Sequence, residues 1–143
     1  MANTPASAGI SDFDQGGKLL LRLLLGVLIL FHGISKVIAG PGMILGLVTS
    51  HGLPSVLAYG VYIGEVVAPI LLIIGLWSRL AALIVVINMI VALSLVHMNQ
   101  FFSLNQQGGY ALELQAFFLF TAVAIMMFGA GRYSMGGADG RFN

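Results

Sequence analysis

Four stretches of about twenty predominantly apolar residues, 18–38, 55–76, 79–98 and 110–129, follow one another with little between them. About twenty such residues are what one helix needs to cross the ~30 Å hydrocarbon core of a bilayer. Four of them use up nearly all of a 143-residue chain, so no extramembrane domain is expected. Lipid offers no hydrogen-bond partner to an open backbone, which leaves helices as the form these stretches can take. The reading is an all-α integral membrane protein: a bundle of four transmembrane helices held in a lipid bilayer. Charge agrees, because only 8% of residues are Asp, Glu, Lys or Arg and the mean hydropathy is +1.01. Soluble domains carry about 25% charged residues. Six Lys and Arg against five Asp and Glu give a formal charge of +1, which argues against a nucleic-acid partner. The chain has no cysteine, so it has no disulfide, thiolate metal site or cysteine redox chemistry of its own.

The first stretch does not read as a secretory signal peptide. Its apolar run is too long, no small-residue cleavage site follows, and polar residues precede it. Residues 1–17, with Asn3, Thr4, Pro5, Ser7, Ser11, Asp12 and Asp14, read as a disordered cytoplasmic tail. Residues 18–135 form the expected membrane domain, and 136–143 a cytoplasmic C-terminal tail. Four crossings place both ends of the chain on one side. Lys18, Arg22, Arg79, Arg132 and Arg141 fall there and only Lys36 falls opposite. This positive-inside bias puts both termini in the cytoplasm.

The connections differ in kind. Trp77-Ser78 is so short that the second and third spans must be antiparallel neighbours. Between the first two spans, Met43, Ile44, Leu47 and Val48 share one helical face, bracketed by Gly40-Pro41 and Gly52-Leu53-Pro54. That pattern predicts a short helix lying in the outer interface. His51 reads there as a solvated loop histidine. Residues 99–109 are polar, with Phe101 and Phe102 as interfacial anchors.

In so apolar a bundle the informative residues are the polar ones. A charge at the bilayer centre costs on the order of 2.5–3.5 kcal/mol, so such groups pair and often mark function. The first span carries Arg22, His32 and Lys36, the second Glu65, the third Asn88 and His97, and the fourth Glu113 and Gln115. At ~1.5 Å per residue, Lys36 and Glu113 lie within about a turn of the outer surface, at matching depth for an ion pair. His32 lies roughly 9 Å down, Glu65 roughly 15 Å, and Arg22 about one turn in from the cytoplasmic face. At ~100° per residue, Arg22, Gly26, His32, Gly33 and Lys36 share one broad stripe. Glu65 shares a stripe with Ala58, Ala68, Pro69 and Leu72, and Pro69 deprives the Glu65 carbonyl of its usual amide donor, which predicts a kink. Glu113 aligns with Phe117, Phe120 and Ala124, an aromatic column below a carboxylate. Asn88 and His97, nine residues apart, point to opposite sides of a continuous helix.

The candidate ligand-binding residues are therefore His32, Lys36, Glu65, Glu113, Phe117 and Phe120. Arg22, Asn88 and His97 are assigned to charge pairing or helix packing. No pair has the Glu-x-x-His spacing of di-iron bundles, so no metal site is expected.

Several of these segments together resemble the DoxX family. They are Arg22 to Gly40 (RLLLGVLILFHGISKVIAG), Gly52-Leu53-Pro54, Glu65, Leu71 to Leu83 (LLIIGLWSRLAAL) and Gly129 to Met135 (GAGRYSM). The likeness runs over about residues 18–135. Where the family often continues Gly-Arg-Tyr-Ser-Leu-Asp, this chain reads Ser134-Met135-Gly136-Gly137, with Asp139 displaced. The resemblance implies a four-helix, multi-pass protein of the bacterial cell inner membrane. Some DoxX-like proteins are subunits of thiosulfate:quinone oxidoreductase, and others are linked to thiol or oxidative-stress complexes and to quinone resistance. The expectation is a redox-associated subunit that binds a small apolar or quinone-like ligand in the outer half of the bundle. Quinone is the candidate cofactor, and a redox partner subunit or the substrate is the source of electrons. A homo-oligomer is a further candidate assembly. Two other readings stand beside it. One is a non-enzymatic anchor or assembly factor whose charges, Lys36 and Glu113 among them, only specify helix pairing. The other is a small oligomeric transporter with Glu65 and Asn88 at a midplane site.

Overall fold

A computed structural model describes residues 12–143. All regular secondary structure among the described residues is helical and none is strand; one isolated bridge joins Leu104 to Tyr110, and residues 129–143 are irregular. The helices are α1 (Asp12–Ala39), α2 (Gly42–Ser50), α3 (Ser55–Ile74), α4 (Ser78–Val96) and α5 (Glu113–Phe128). Helices α1, α3 and α4 are long and apolar enough to cross a membrane, while α5 is apolar but has 16 residues. The protein is a multi-pass membrane protein in a lipid environment.

Most of the N-terminal tail expected from the sequence, residues 1–11, lies outside the described residues. Helix α1 already begins at Asp12, so residues 12–17 are helical. Its 28 residues give a length of ~42 Å, longer than the ~30 Å hydrocarbon core.

Helix α1 packs against α3 and α5, and α4 packs against the same two, so the four long helices close a ring. The common core is made of Leu25, Ile29, Leu72, Val85, Met89, Phe118 and Ile125, with Ala68, Ala81, Ala82 and Ala122 between them. The outward side chains are equally apolar: Phe31, Ile38, Ile87 and Ile90 are all exposed. An exterior as oily as the core is the pattern of a helix bundle solvated by lipid.

Small residues set how closely α1 and α3 approach. A Cβ on Gly33 would lie 2.6 Å from the carbonyl carbon of Glu65 and overlap its oxygen. One on Gly26 would meet Ile73 Cγ1 at 2.7 Å and the Pro69 oxygen at 3.0 Å. Gly64 does the same service toward α4, where a Cβ would come 2.5 Å from Cγ of Asn88. The stripe on α1 expected to turn inward thus meets α3 through its glycines.

Helix α3 is irregular where the sequence predicts a kink. It starts as a 3₁₀ turn (Ser55–Tyr59), passes through a π turn (Ile63–Val67) and continues as α-helix (Ala68–Ile74). Pro69 has no N–H for the Glu65 carbonyl, and its ring crowds that oxygen, so the turn before it widens. The amide of Ala68 accordingly donates to Ile63, five residues back.

At the end of the bundle holding Arg22 and Arg79, the segment after α5 folds across the helices. Arg22, 1% exposed, donates to the carbonyls of Ala130 (3.0 Å) and Tyr133 (2.8 Å). Arg79 donates through Nε to the Asn143 carbonyl (2.8 Å) and through Nη1 to Met126 (3.0 Å). The buried Asn143 amide donates to Gly137, Gly75 and Ser134 and accepts from the Ser78 amide. Residues 136–143, read from the sequence as a tail, are therefore docked on the α3–α4 turn. That turn uses two left-handed residues, Gly75 (φ 74°) and Trp77 (φ 50°).

Candidate functional site

Lys36 and Glu65 form the one ion pair between long helices among the described residues. The Lys36 ammonium, from the last turn of α1, bonds both carboxylate oxygens of Glu65, the contact to Oε2 being 2.6 Å. Glu65 is 3% exposed, and Asn88 Nδ2 of α4 adds a third, longer bond to Oε1 at 3.4 Å. A buried carboxylate needs this kind of compensation, because an unpaired one is costly in low dielectric. The wide π turn presents Glu65 to Lys36 on one side and to Asn88 on the other.

Beside this pair lies a cavity of about 120 Å³ to which all four long helices contribute. Its polar groups are His32, Lys36, Glu65, His97 and Gln115; its apolar walls are Ile29, Met89, Ala92, Leu114 and Phe118. His32 rests edge-on against Phe118, with ring centroids 5.8 Å apart. His97 Nε2 and the Gln115 side-chain amide are 3.4 Å apart, and His97 Nδ1 lies 3.3 Å from Gln100 Oε1. A cation–carboxylate pair, two imidazoles and an amide thus face one small space with oily walls. Such a set can hold a polar ring, donate and accept hydrogen bonds at its rim, and exchange protons with it.

The residues singled out in the sequence are distributed as follows. His32, Lys36 and Glu65 meet at the cavity. Lys36 pairs with Glu65 and not with Glu113, which stands exposed in the first turn of α5. Phe117 and Phe120 are 74% and 69% exposed; Phe117 borders a separate groove, and neither lines the cavity. The aromatic column below Glu113 is the lipid-facing side of α5, and the inward side carries Gln115, Phe118, Ala122 and Ile125. Asn88 packs on Gly64 and bonds Glu65. His97, assigned to packing, is in the cavity wall. Asn88 faces α3 at Gly64 and Glu65, whereas His97, the residue that caps α4, faces Gln115 of α5 and the cavity. Arg22 is far from the cavity and binds backbone carbonyls of the C-terminal segment. Gln115 and Phe118 went unselected. The signal that could have found them is the small-residue continuation of their stripe at Ala122, which marks the packed side of α5.

A multi-pass helical bundle with a polar cavity among its helices is the class that fold and geometry define. The DoxX family profile matches residues 17–98. The chain belongs to the DoxX family. It is 32% identical over 103 residues to a Bacillus subtilis (strain 168) protein named "Putative oxidoreductase CatD", covering 72% of this chain and 76% of that one. It is 34% identical over 104 residues to an uncharacterized protein of Haemophilus influenzae, covering 70% and 76% of the two chains. No solved structure matches it.

Proposed function

We propose that this protein is a redox-associated subunit of the bacterial inner membrane that binds a small quinone-like ligand in the cavity beside Lys36 and Glu65. The observation carrying the proposal is that cavity: five polar side chains converge on one space at the end of the bundle away from Arg22 and Arg79, beside an apolar core. Quinone reduction consumes protons together with electrons, and His32, His97 and Glu65 are groups able to pass protons to ring oxygens. The chain has no cysteine and no cluster of metal-binding side chains among its described residues, so electrons would come from a partner subunit or from the substrate. The name of the Bacillus subtilis relative supports a link to oxidoreduction.

The same reading takes α5 as a fourth span. Its 16 residues give ~24 Å, and the apolar residues flanking it extend the crossing. Both termini lie in the cytoplasm, at the end where Arg22 and Arg79 bind the C-terminal segment and the Arg132 amide of that segment donates to Gln15 of α1. Helix α2 lies in the opposite interface. To test the function, the protein is purified from quinone-rich membranes and its bound small molecules are extracted. Quinone retained by the wild type and lost from Glu65→Gln supports the proposal; no quinone in either overturns it.

One observation favours a second reading. The Lys36–Glu65–Asn88 network satisfies itself and could serve only to fix helix pairing, as in an anchor or assembly factor. Under it, exchanging the charges by Lys36→Glu with Glu65→Lys restores both the fold and every cellular function. Under the ligand reading, the exchange restores the fold alone.

A further inference from the structure

A second, larger hollow of about 360 Å³ lies on the lipid-facing seam between α1 and α5. Its α1 wall is Leu24, Leu25 and Leu28. Its α5 wall is Leu114, Phe117, Phe118 and Thr121, with the exposed Glu113 at the outer end. Two of these residues, Leu114 and Phe118, also line the polar cavity, so the two spaces adjoin there. Phe118 lies T-shaped against the His32 ring, so one side of it meets the polar cavity and the other the groove.

The packing explains why the seam is open here. Toward α3, helix α1 presents Gly26 and Gly33, and the backbones nearly touch. Toward α5 it presents Leu25 and Leu28 against Phe117 and Phe118, which hold the helices apart. Counting back along α1, Leu28 and Leu24 lie about one and two turns from His32, toward the membrane middle. The hollow therefore starts beside the polar head cavity and descends through hydrocarbon depth.

The two volumes restrict what could occupy them. An apolar cavity of about 150 Å³ accommodates benzene, so the 120 Å³ polar cavity is on the scale of one six-membered ring. Resting on the reading given under Proposed function, we propose that the ligand is a single-ring quinone or phenol whose hydrocarbon chain leaves past Phe118 and Leu114 along the α1–α5 groove. The ring enters laterally from the bilayer by the same seam. Because lipid is as apolar as the leucines of the groove, the groove adds little affinity. Its role is to give the chain an exit while the ring is seated.

The experiment compares three probes bound to the full-length protein in phosphatidylcholine nanodiscs. They are a benzoquinone bearing a ten-carbon chain, the same ring without the chain, and an unchained naphthoquinone. The wild type should bind both benzoquinones and hold naphthoquinone about tenfold more weakly, as an overfilled cavity requires. Leu28→Trp fills the groove from a position already 40% exposed to lipid, and Thr121→Phe fills it from the opposite wall. Each should weaken the chained probe about tenfold or more and leave the unchained ring as in the wild type. Membrane partitioning of each probe is the same for all variants and cancels. If both variants bind the chained probe as the wild type does, or lose both benzoquinones equally, the groove assignment is overturned and the head site stands. Equal binding of naphthoquinone overturns the single-ring limit. Failure of the wild type to bind the unchained ring removes the head site itself.

Discussion

Replacing Gly33 by alanine should destabilise the bundle by about 2 kcal/mol and loosen the candidate site with it. The new methyl group would overlap the carbonyl oxygen of Glu65 and sit 2.8 Å from Val66 Cγ2. Because the obstacle is backbone, relief requires α1 and α3 to move apart. Overpacking of this kind costs up to about 3 kcal/mol, and the better helix propensity of alanine returns about 1 kcal/mol. Gly26→Ala is the internal control. Its Cβ would meet Ile73 Cγ1 at 2.7 Å, on a stiff β-branched side chain, and the Pro69 oxygen at 3.0 Å, a milder clash than that on the Glu65 backbone. Ile73 must shift but the backbones need not part, and the propensity gain offsets part of the cost, leaving a loss of about 1 kcal/mol, roughly half that of Gly33→Ala. Both variants are read by denaturant unfolding in detergent, following Trp77 fluorescence. Gly33→Ala should unfold earlier than Gly26→Ala and lose quinone binding; Gly26→Ala, which does not touch Glu65, should keep it. Equal stability of Gly33→Ala and wild type would refute the claim that backbone contact at Gly33 sets the α1–α3 distance.

Three further outcomes follow from the polar contacts. Lys36→Met leaves Glu65 buried beside Asn88 alone and should cost about 2–3 kcal/mol, below the ~3–5 kcal/mol of a fully buried pair because the Lys36 side chain is 39% exposed. Adding Glu65→Met should recover most of that loss in the same unfolding assay, since neither charge then remains. Arg22→Lys should destabilise by about 1–2 kcal/mol, because an ammonium cannot span the Ala130 and Tyr133 carbonyls as the planar guanidinium does. Reporter fusions at residues 1 and 143 should both be active in the cytoplasm and a fusion in residues 99–109 only outside it; the reverse pattern contradicts the orientation.

Much of the helix layout was legible because apolar length is a coarse signal. The helices begin and end within a few residues of the apolar stretches, apart from the early start of α1 at Asp12. Gly40-Pro41 and Gly52-Leu53-Pro54 bracket α2, as turn formers do. The irregularity in α3 was legible from Pro69, since a missing amide and a crowded carbonyl are local facts. Partner choice was not local. Depth alone matched Lys36 with Glu113, yet the long lysine stem reaches across to Glu65, while Glu113 turns outward. Helix α5 defeated periodicity because apolar residues surround it: in a lipid-facing helix both stripes are oily, and Phe117 and Phe118 differ in side and not in chemistry. His97 sits at the very end of α4, where its place in the sequence marks a span end and does not show that Gln115 of α5 stands beside it.

The central claim is that a ring binds beside Lys36 and Glu65, and the chain carries its own control for testing it. Of the three histidines, His32 and His97 line the cavity, whereas His51 is exposed beyond α2 and bonds the Leu47 carbonyl at 2.9 Å. NMR of the imidazole groups, recorded while an unchained benzoquinone is titrated into the protein in nanodiscs, reads all three sites at once. The account predicts saturable shifts of the His32 and His97 signals with His51 unmoved. Three histidines that respond alike, or none that responds, would contradict it.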